Sequence, residues 1–446
     1  MKIAVVGAGI SGLAAAHFLK KGGAEVTVFE KNAVPGGTVG SKVVNGYLVE
    51  NGPSSTSETN FVIDELLSDL SMKEEKVYAD ESSKYRFIIR DGLLHALPSG
   101  PGSFISTKLW SGGAKFRLFA EPFIGRAEHE ESIADFVTRR LGREFLDYAI
   151  NPFVAGVYAG NPSDLSVRAA FPKLYALEEK YGGLLKGAIR GARERKKRGT
   201  KARASAKLFA FKSGMGILPE TIARELGGSV RLGVAVDNVK KDKAGFVVNF
   251  TADRKPGNEM YDRIVLSTPA FAAAAILKAW LPELSNELLK VKYPPVAVAL
   301  LGYKRGQIKI DLKGFGFLVP EVEKRKILGT IWSSSIFPNR APEGYVELTT
   351  FLGGSRQPKL AGLSAEEVAR IAHEENANLM KIEGLPAFQA VSKWDRAIPQ
   401  YNIGHLSILD AVRHVETLHD GFYICCNYKD GISVADCIAN GKKTAE

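Results

Sequence analysis

Lys2-Ile3-Ala4-Val5-Val6 runs straight into Gly7-Ala8-Gly9-Ile10-Ser11-Gly12. The first five residues read as a short buried strand, and Ile10–Lys20 carries Leu13, Ala16 and Leu19 at helical spacing. Gly22-Gly23 makes a turn, and Glu25-Val26-Thr27-Val28-Phe29-Glu30 reads as a second strand. The result is a βαβ unit with G-x-G-x-x-G at its first turn. A lone match to that pattern is weak. Here it follows a strand, opens a helix and is followed by an acidic residue at the end of the next strand, which makes it strong. Gly7 allows the tight turn, Gly9 lets a pyrophosphate approach the backbone, and Gly12 lets helix and strand pack closely. The helix start offers free N–H groups and the positive end of its dipole to phosphate. Glu30 can accept both hydroxyls of an unphosphorylated adenosine ribose. A glycine-rich turn in an empty α/β domain is the alternative, and this context speaks against it.

Outward from this unit, the chain has 446 residues, enough for two or three folding units, and its 45% apolar and 24% charged content is that of a globular protein. Cys425, Cys426 and Cys437 include no C-x-x-C pair, which argues against zinc or a disulfide framework and for a reducing compartment. The seven histidines show no metal-binding spacing. No segment reaches the about 18 apolar residues of a membrane span; Pro269–Leu281 is too short and carries Lys278. A strand beginning at Lys2 leaves no room for a signal peptide, so the chain is expected in the cytoplasm or on the membranes facing it.

The net charge of +11 is uneven, because residues 186–207 hold ten Lys or Arg against one Glu. Such a run is either a solvated loop or an attractor for anionic lipid headgroups. Nucleic acid ranks below lipid, since no nucleic-acid motif accompanies the run. Phe104, Lys108, Trp110, Lys115, Phe116, Arg117, Phe119 and Phe123 mix aromatic and basic side chains, which suits either core plus surface or an interfacial segment.

Between these features, Ser132–Tyr148 reads as one amphipathic helix capped by Ser132, with Ile133, Phe136, Val137, Leu141 and Phe145 as its stripe. Strand signals return in VRLGVAVDNVKK (230–241), AGFVVNFTA (244–252) and DRIVLSTP (262–269), then in the segments around 294–303, 315–320, 326–334 and 345–354. A helix is expected over Ser364–Met380, a strand over Phe388–Trp394 and a last helix from about Ile432.

The stretch after Glu30 separates two kinds of dinucleotide. Gly36-Gly37 follows closely, and Glu50-Asn51-Gly52-Pro53 comes after a short strand. This resembles the extended FAD fingerprint of the amine oxidase-like flavoproteins, and Asp262–Pro269 resembles the later strand by which they return to the cofactor domain. Thr38-Val39-Gly40 departs from the bulky or basic residue many relatives carry there. Four further stretches resemble the protoporphyrinogen oxidase family: Asn151–Pro162 with Leu165-Ser166 and Phe171-Pro172, Gly314–Pro320, Phe351–Ser355, and Trp394–His405. Asn427–Val434 resembles that family's closing flavin-contact motif, and the match runs in order from residue 2 to about 443.

The resemblance implies an α/β fold: a doubly wound, Rossmann-like FAD domain (1–79, 208–272 and 392–446), a helical membrane-associating and substrate region (80–207), mixed at its start, and a mixed-sheet substrate domain (273–391). It implies non-covalent FAD held by Gly7, Ala8, Gly9, Ile10, Ser11, Gly12, Glu30, Lys31, Gly36, Gly37, Gly52, Pro53, the backbone of Val236, Thr268, Trp394, Gly431, Ile432 and Val434. For the substrate it implies Arg86 as partner of a propionate, Leu318, Ile331 and Phe351 as an apolar sandwich, and the backbone of Gly156 facing the macrocycle. Guanidinium–carboxylate pairing is directional, and a large apolar ring wants few polar anchors. Without the resemblance, Arg86 reads as a surface arginine and the other three as sheet core. Cys425-Cys426 stands where relatives have small residues, and small buried side chains are expected there rather than a covalent flavin link.

The implied reaction is hydride transfer from a reduced tetrapyrrole to FAD, with oxygen as final acceptor and no residue assigned as base. Coproporphyrinogen III oxidation is the sibling alternative, which Arg86 disfavours. An amine or carotenoid oxidoreductase, and a non-catalytic relative lacking FAD, are the remaining alternatives. The implied partners are the tetrapyrrole, oxygen and an anionic membrane surface on the inner face of the cell membrane. A homodimer is allowed, and no nucleic acid is expected.

Overall fold

The structure, a computed structural model, describes residues 1–197 and 206–446. Of the basic run 186–207, residues 198–205 lie outside the described residues. Five parallel strands form the nucleotide sheet, in the order Val230–Leu232, Glu25–Glu30, Lys2–Val6, Arg263–Leu266, Phe422–Ile424. Both faces are covered, which is why these strands read as nearly continuous apolar runs. Ile3 and Val5 enter one core, with helices Ile10–Lys21, Phe61–Asp69 and Val434–Ala445. Ala4 and Val6 enter another, under the antiparallel strands Val234–Asp242, Gly245–Ala252 and Lys255–Tyr261 and the helix Ala270–Leu277. The expected strand 230–241 is two strands, parted at Gly233 (φ +70°). Lys255–Tyr261 is an edge strand whose Pro, Gly and Asn hid it from a propensity reading.

The second sheet has seven strands, in the order Phe388–Trp394, Val296–Lys304, Tyr345–Gly353, Gly329–Ile331, Gly316–Leu318, Arg86–Arg90, Leu93–Ala96. The last two lie inside the segment 80–207, expected to be mixed and to carry substrate contacts as well as membrane-associating helices. Arg86–Arg90 pairs in parallel with Gly316–Leu318, which brings the hairpin 86–96 into the sheet of the later strands. Helix Ala365–Met380 packs on one face of the sheet, started by a capping box in which Glu367 N–H donates to Ser364 Oγ (3.2 Å) and Ser364 N–H to Glu367 Oε2 (3.0 Å).

The single helix expected over 132–148 is interrupted. Ser132 caps it as expected, accepting from Asp135 N–H (3.0 Å), but Ile133–Arg140 stops before Gly142, whose φ is +95°. Arg143–Phe145, a π-helical turn over Leu146–Ile150 and helix Asn151–Tyr158 continue at a new angle. Helix His405–Leu418 was not expected, although Ile408 and Val412, its buried pair, stand four residues apart. Among the described residues no helix is long and apolar enough to cross a membrane.

Candidate cofactor and substrate site

The three glycines of the first turn do different work. A Cβ on Gly7 would stand 2.5 Å from the Ser267 carbonyl oxygen, and one on Gly12 would stand 2.1 Å from the Gly7 oxygen. A Cβ on Gly9 would meet nothing within 4 Å. Gly7 and Gly12 are therefore fixed by packing, while Gly9 faces open space. Helix Ile10–Lys21 has no side-chain cap, so the N–H groups at Ile10 and Ser11 are left for an anion. Glu30, 6% exposed, accepts from Ala8 N–H and from Asn32 N–H, each at 2.9 Å. Those bonds lock its carboxylate beside the turn and leave lone pairs for hydroxyl donors. Lys31 follows with its side chain exposed.

Gly36 and Gly37 lean over this turn. Gly36 N–H donates to Ala8 oxygen (2.8 Å), and a Cβ on Gly37 would stand 3.4 Å from Gly9 Cα. Gly52, next to Pro53, is pressed on Thr38, whose carbonyl oxygen would lie 2.2 Å from an added Cβ. Trp394 Nε1–H donates to Asn51 oxygen (2.8 Å), so it holds the loop at 51–53 from the second sheet. Val236 precedes a register break in its strand and is partly buried at the edge of the core. Thr268 packs beside Gly7, and its hydroxyl is buried with no partner among the described residues. An open glycine, an uncapped helix start, a locked acid and an orphaned hydroxyl fit a dinucleotide at this turn.

The closing motif arrives on helix Val434–Ala445, which crosses the first helix so closely that a Cβ on Gly441 would lie 2.8 Å from Ala14 Cβ. Gly431 and Ile432 precede its cap, Ser433. Tyr401 ties the approach together: its hydroxyl donates to Asn427 oxygen (2.5 Å) and accepts from Gly431 N–H (3.0 Å). His405 stacks on Tyr401 at 4.4 Å, and its Nε2 bonds the Tyr428 carbonyl (2.8 Å). Both residues lie in a quoted stretch, but only the fold gives them these partners. Burial pushes the Cys425 thiol up to about 11 and the Cys437 thiol to about 12. All three cysteines are buried, as small packing side chains are.

The residues expected to meet the substrate come together through register. Arg86, Gly316, Ile331 and Thr349 are paired in turn across four strands, as are Ile88, Leu318, Gly329 and Phe351. Paired residues point to the same side, so Arg86, Leu318, Ile331 and Phe351 share one face, with Gly316 and Gly329 leaving gaps between them. Gly156 reaches this face from helix Asn151–Tyr158, and the Leu318 side chain covers it: a Cβ there would stand 2.6 Å from Leu318 Cδ2. The Arg86 guanidinium lies over the Phe315 ring at 5.1 Å. It is open to solvent yet surrounded by protein, which lowers its pKa from the ordinary value.

A narrow cleft joins this face to the cofactor loop, lined by Ser54 and Ser55 on one side and Phe315, Ile331 and Thr349 on the other. Glu50, Arg340 and Glu347 line its floor. Arg340 pairs with Glu50 at 3.2 Å. Burial pushes the Glu347 carboxyl up to about 8, against the opposing pull of Arg340. Sequence reading missed this cluster, because its members are ordinary charged residues until the fold buries them.

The model of flavin-containing amine oxidoreductases matches residues 10–446. The chain belongs to that family. FAD is the cofactor of this flavoprotein, supplying hydride acceptance when bound; the residues above are the ones that would hold and orient it. Among curated relatives, protoporphyrinogen oxidase 2 of Arabidopsis thaliana is 33% identical, over 100% of this chain and 93% of that one. Coproporphyrinogen III oxidase of Bacillus subtilis (strain 168) is 27% identical, over 99% and 96%. A crystal structure from Exiguobacterium sp. 255-15 shares the fold at a TM-score of 0.82 and 21% identity, over 100% of this chain and 97% of that one.

Proposed function

We propose that this flavoprotein oxidises protoporphyrinogen IX to protoporphyrin IX in three two-electron rounds, with oxygen as final acceptor and hydrogen peroxide as co-product, late in heme biosynthesis. The observation that carries the reading is one sheet face bearing Arg86 together with Leu318, Ile331 and Phe351. A flat apolar macrocycle suits the aliphatic and aromatic side chains, and a propionate suits the guanidinium. Identity to the plant protoporphyrinogen oxidase, above that to the coproporphyrinogen oxidase, supports the same choice. The test is anaerobic flavin reduction by each porphyrinogen in turn. Protoporphyrinogen is expected to be the faster reductant; coproporphyrinogen outrunning it would overturn the choice.

FAD is held without a covalent link in this reading, supported by three buried cysteines with raised pKa values. Denaturation should release the flavin into the supernatant. The membrane reading rests on exposed Ile105, Phe116, Phe119 and Phe123, the last 88% exposed, beside Lys108 and Arg117. Apolar tips among basic residues suit a headgroup layer; in this reading the chain is cytoplasmic and peripheral on the inner face of the cell membrane. Liposome sedimentation tests it: binding to anionic vesicles should exceed binding to neutral ones and weaken with salt.

A further inference from the structure

Each two-electron oxidation of a porphyrinogen breaks two bonds to hydrogen. A bridging C–H gives up hydride, which takes its electron pair to the oxidant. A second hydrogen leaves as a proton, and the electron pair of its bond stays in the macrocycle; over three rounds two of these protons come from ring N–H groups and one from the fourth bridging carbon. The proton needs a base, and none has been assigned.

The cleft face contains a route to one. Thr349 sits beside Ile331 in the register of the sheet, with its hydroxyl on the substrate face. Its Oγ1 is 2.8 Å from Ser333 Oγ, and both side chains are buried. Ser333 and Glu347 line the same cleft, and the Ser333 hydroxyl draws the carboxyl toward its ionised form. Glu347 stands on the same strand and the same face as Thr349 and Phe351, and is 2% exposed. Two hydroxyls thus link the place of the macrocycle to a buried carboxyl. We propose that Glu347 accepts the proton released in each round, relayed through Thr349 and Ser333. This rests on the porphyrinogen reading above. Each hydroxyl passes on its own proton as it takes one, and the carboxylate ends protonated.

The groups around Glu347 suit the role. Arg340, 2% exposed, faces it from the loop after helix Ser333–Ile336 and pairs with Glu50 on the far side. Glu50 and Tyr47 approach from strand Tyr47–Glu50. Ser334 Oγ accepts from the Glu347 backbone N–H (2.9 Å). On the neighbouring strand the paired residue is Gly302, which leaves room for the Tyr47 ring. Two carboxyls sharing one guanidinium cannot both be neutralised by it, and Glu347 Oε2 and Arg340 Nη2 make no hydrogen bond among the described residues. A carboxyl pushed up to about 8 lies close to the operating pH at which a general base works best.

Glu347→Gln tests this in the FAD-loaded enzyme. Anaerobic flavin reduction by protoporphyrinogen should slow by roughly 10²-fold, with KM and flavin content close to wild type. The wild-type rate should rise through pH 8, and the variant's should not. Thr349→Val should slow the step and Thr349→Ser should restore it. Infrared titration without substrate gives an independent reading: a protonated carboxyl band should disappear near pH 8 in the wild type and be missing from the variant. A wild-type rate and pH profile in Glu347→Gln, or the same band persisting in it, overturns the proposal. If protoporphyrinogen does not reduce the wild-type flavin while another porphyrinogen does, the substrate reading fails, and the same pH profile on that porphyrinogen decides the role of Glu347.

Discussion

On strand Tyr345–Gly353, Leu348, Thr350 and Leu352 point to one side, and Glu347, Thr349 and Phe351 to the other. The first side is a closed core. Its threonine and asparagine side chains satisfy one another: Thr330 Oγ1 donates to Asn376 Oδ1 (2.8 Å), Asn376 Nδ2 donates to Thr350 Oγ1 (2.7 Å), and the two threonine hydroxyls are 3.1 Å apart. Among the described residues, the second side leaves Glu347 Oε2 and Arg340 Nη2 without hydrogen-bond partners, and the Arg86 guanidinium lies over the Phe315 ring with no ion-pair partner. Both sides alternate along the same strands, so propensity cannot explain the contrast. Polar groups on a face meant only for packing are paired internally; a face that leaves them open is built to meet something else.

The contrast can be broken at its core side first. Leu348 is fully buried, and Leu348→Ala should cost about 2–5 kcal/mol of stability, measured by denaturant unfolding. Flavin content and kcat/KM of the folded fraction should not change. A large kinetic loss there would mean the two faces are not separable.

Arg86→Ala is the converse. It removes a charge-assisted contact of roughly 1.5–3 kcal/mol, so kcat/KM should fall about one to two orders of magnitude, mostly through KM. Tm should stay near wild type, since Arg86 has no ion-pair partner to lose among the described residues. Lysine should rescue only in part, lacking the planar fork. Gly156→Ala sharpens the same side more gently. The new Cβ meets a flexible tip, Leu318 Cδ2 at 2.6 Å, which can swing into the cleft; about 1 kcal/mol of overpacking should appear as a several-fold rise in KM with little change in Tm.

The two sides also differ in how far the sequence discloses them. The nucleotide turn was legible because its parts are contiguous: Gly7, Gly9 and Gly12 each have the spatial role their spacing implies. The shared face of Arg86, Leu318, Ile331 and Phe351 depends on strands far apart in the chain, and only family resemblance named those residues in advance. Nothing local marks Arg86–Arg90 as the partner of Gly316–Leu318, so that pairing was not legible. Gly142 was a visible break in the helix read over 132–148, outweighed there by an unbroken apolar stripe. Glu347 was illegible because its character comes from burial beside Arg340 and Ser333.

That character gives the effect with the clearest sign. The Glu347 carboxyl is raised from its ordinary 4.5 to about 8. Between those values the folded protein keeps a proton that the unfolded chain has released. Its contribution to stability is therefore full below pH 4.5 and is lost as pH rises toward 8. Glu347→Gln cannot titrate, so its Tm should match the wild type in acid and exceed it above neutrality, at roughly 2–4 °C per kcal/mol. Some slope should persist in the variant, because burial also raises the Glu50 carboxyl. Leu348→Ala, on the packed side, should lower Tm by much the same amount at every pH. Parallel curves for wild type and Glu347→Gln would show that this carboxyl is solvated like any surface acid, and the distinction between the open face and the packed one would then rest on Arg86 alone.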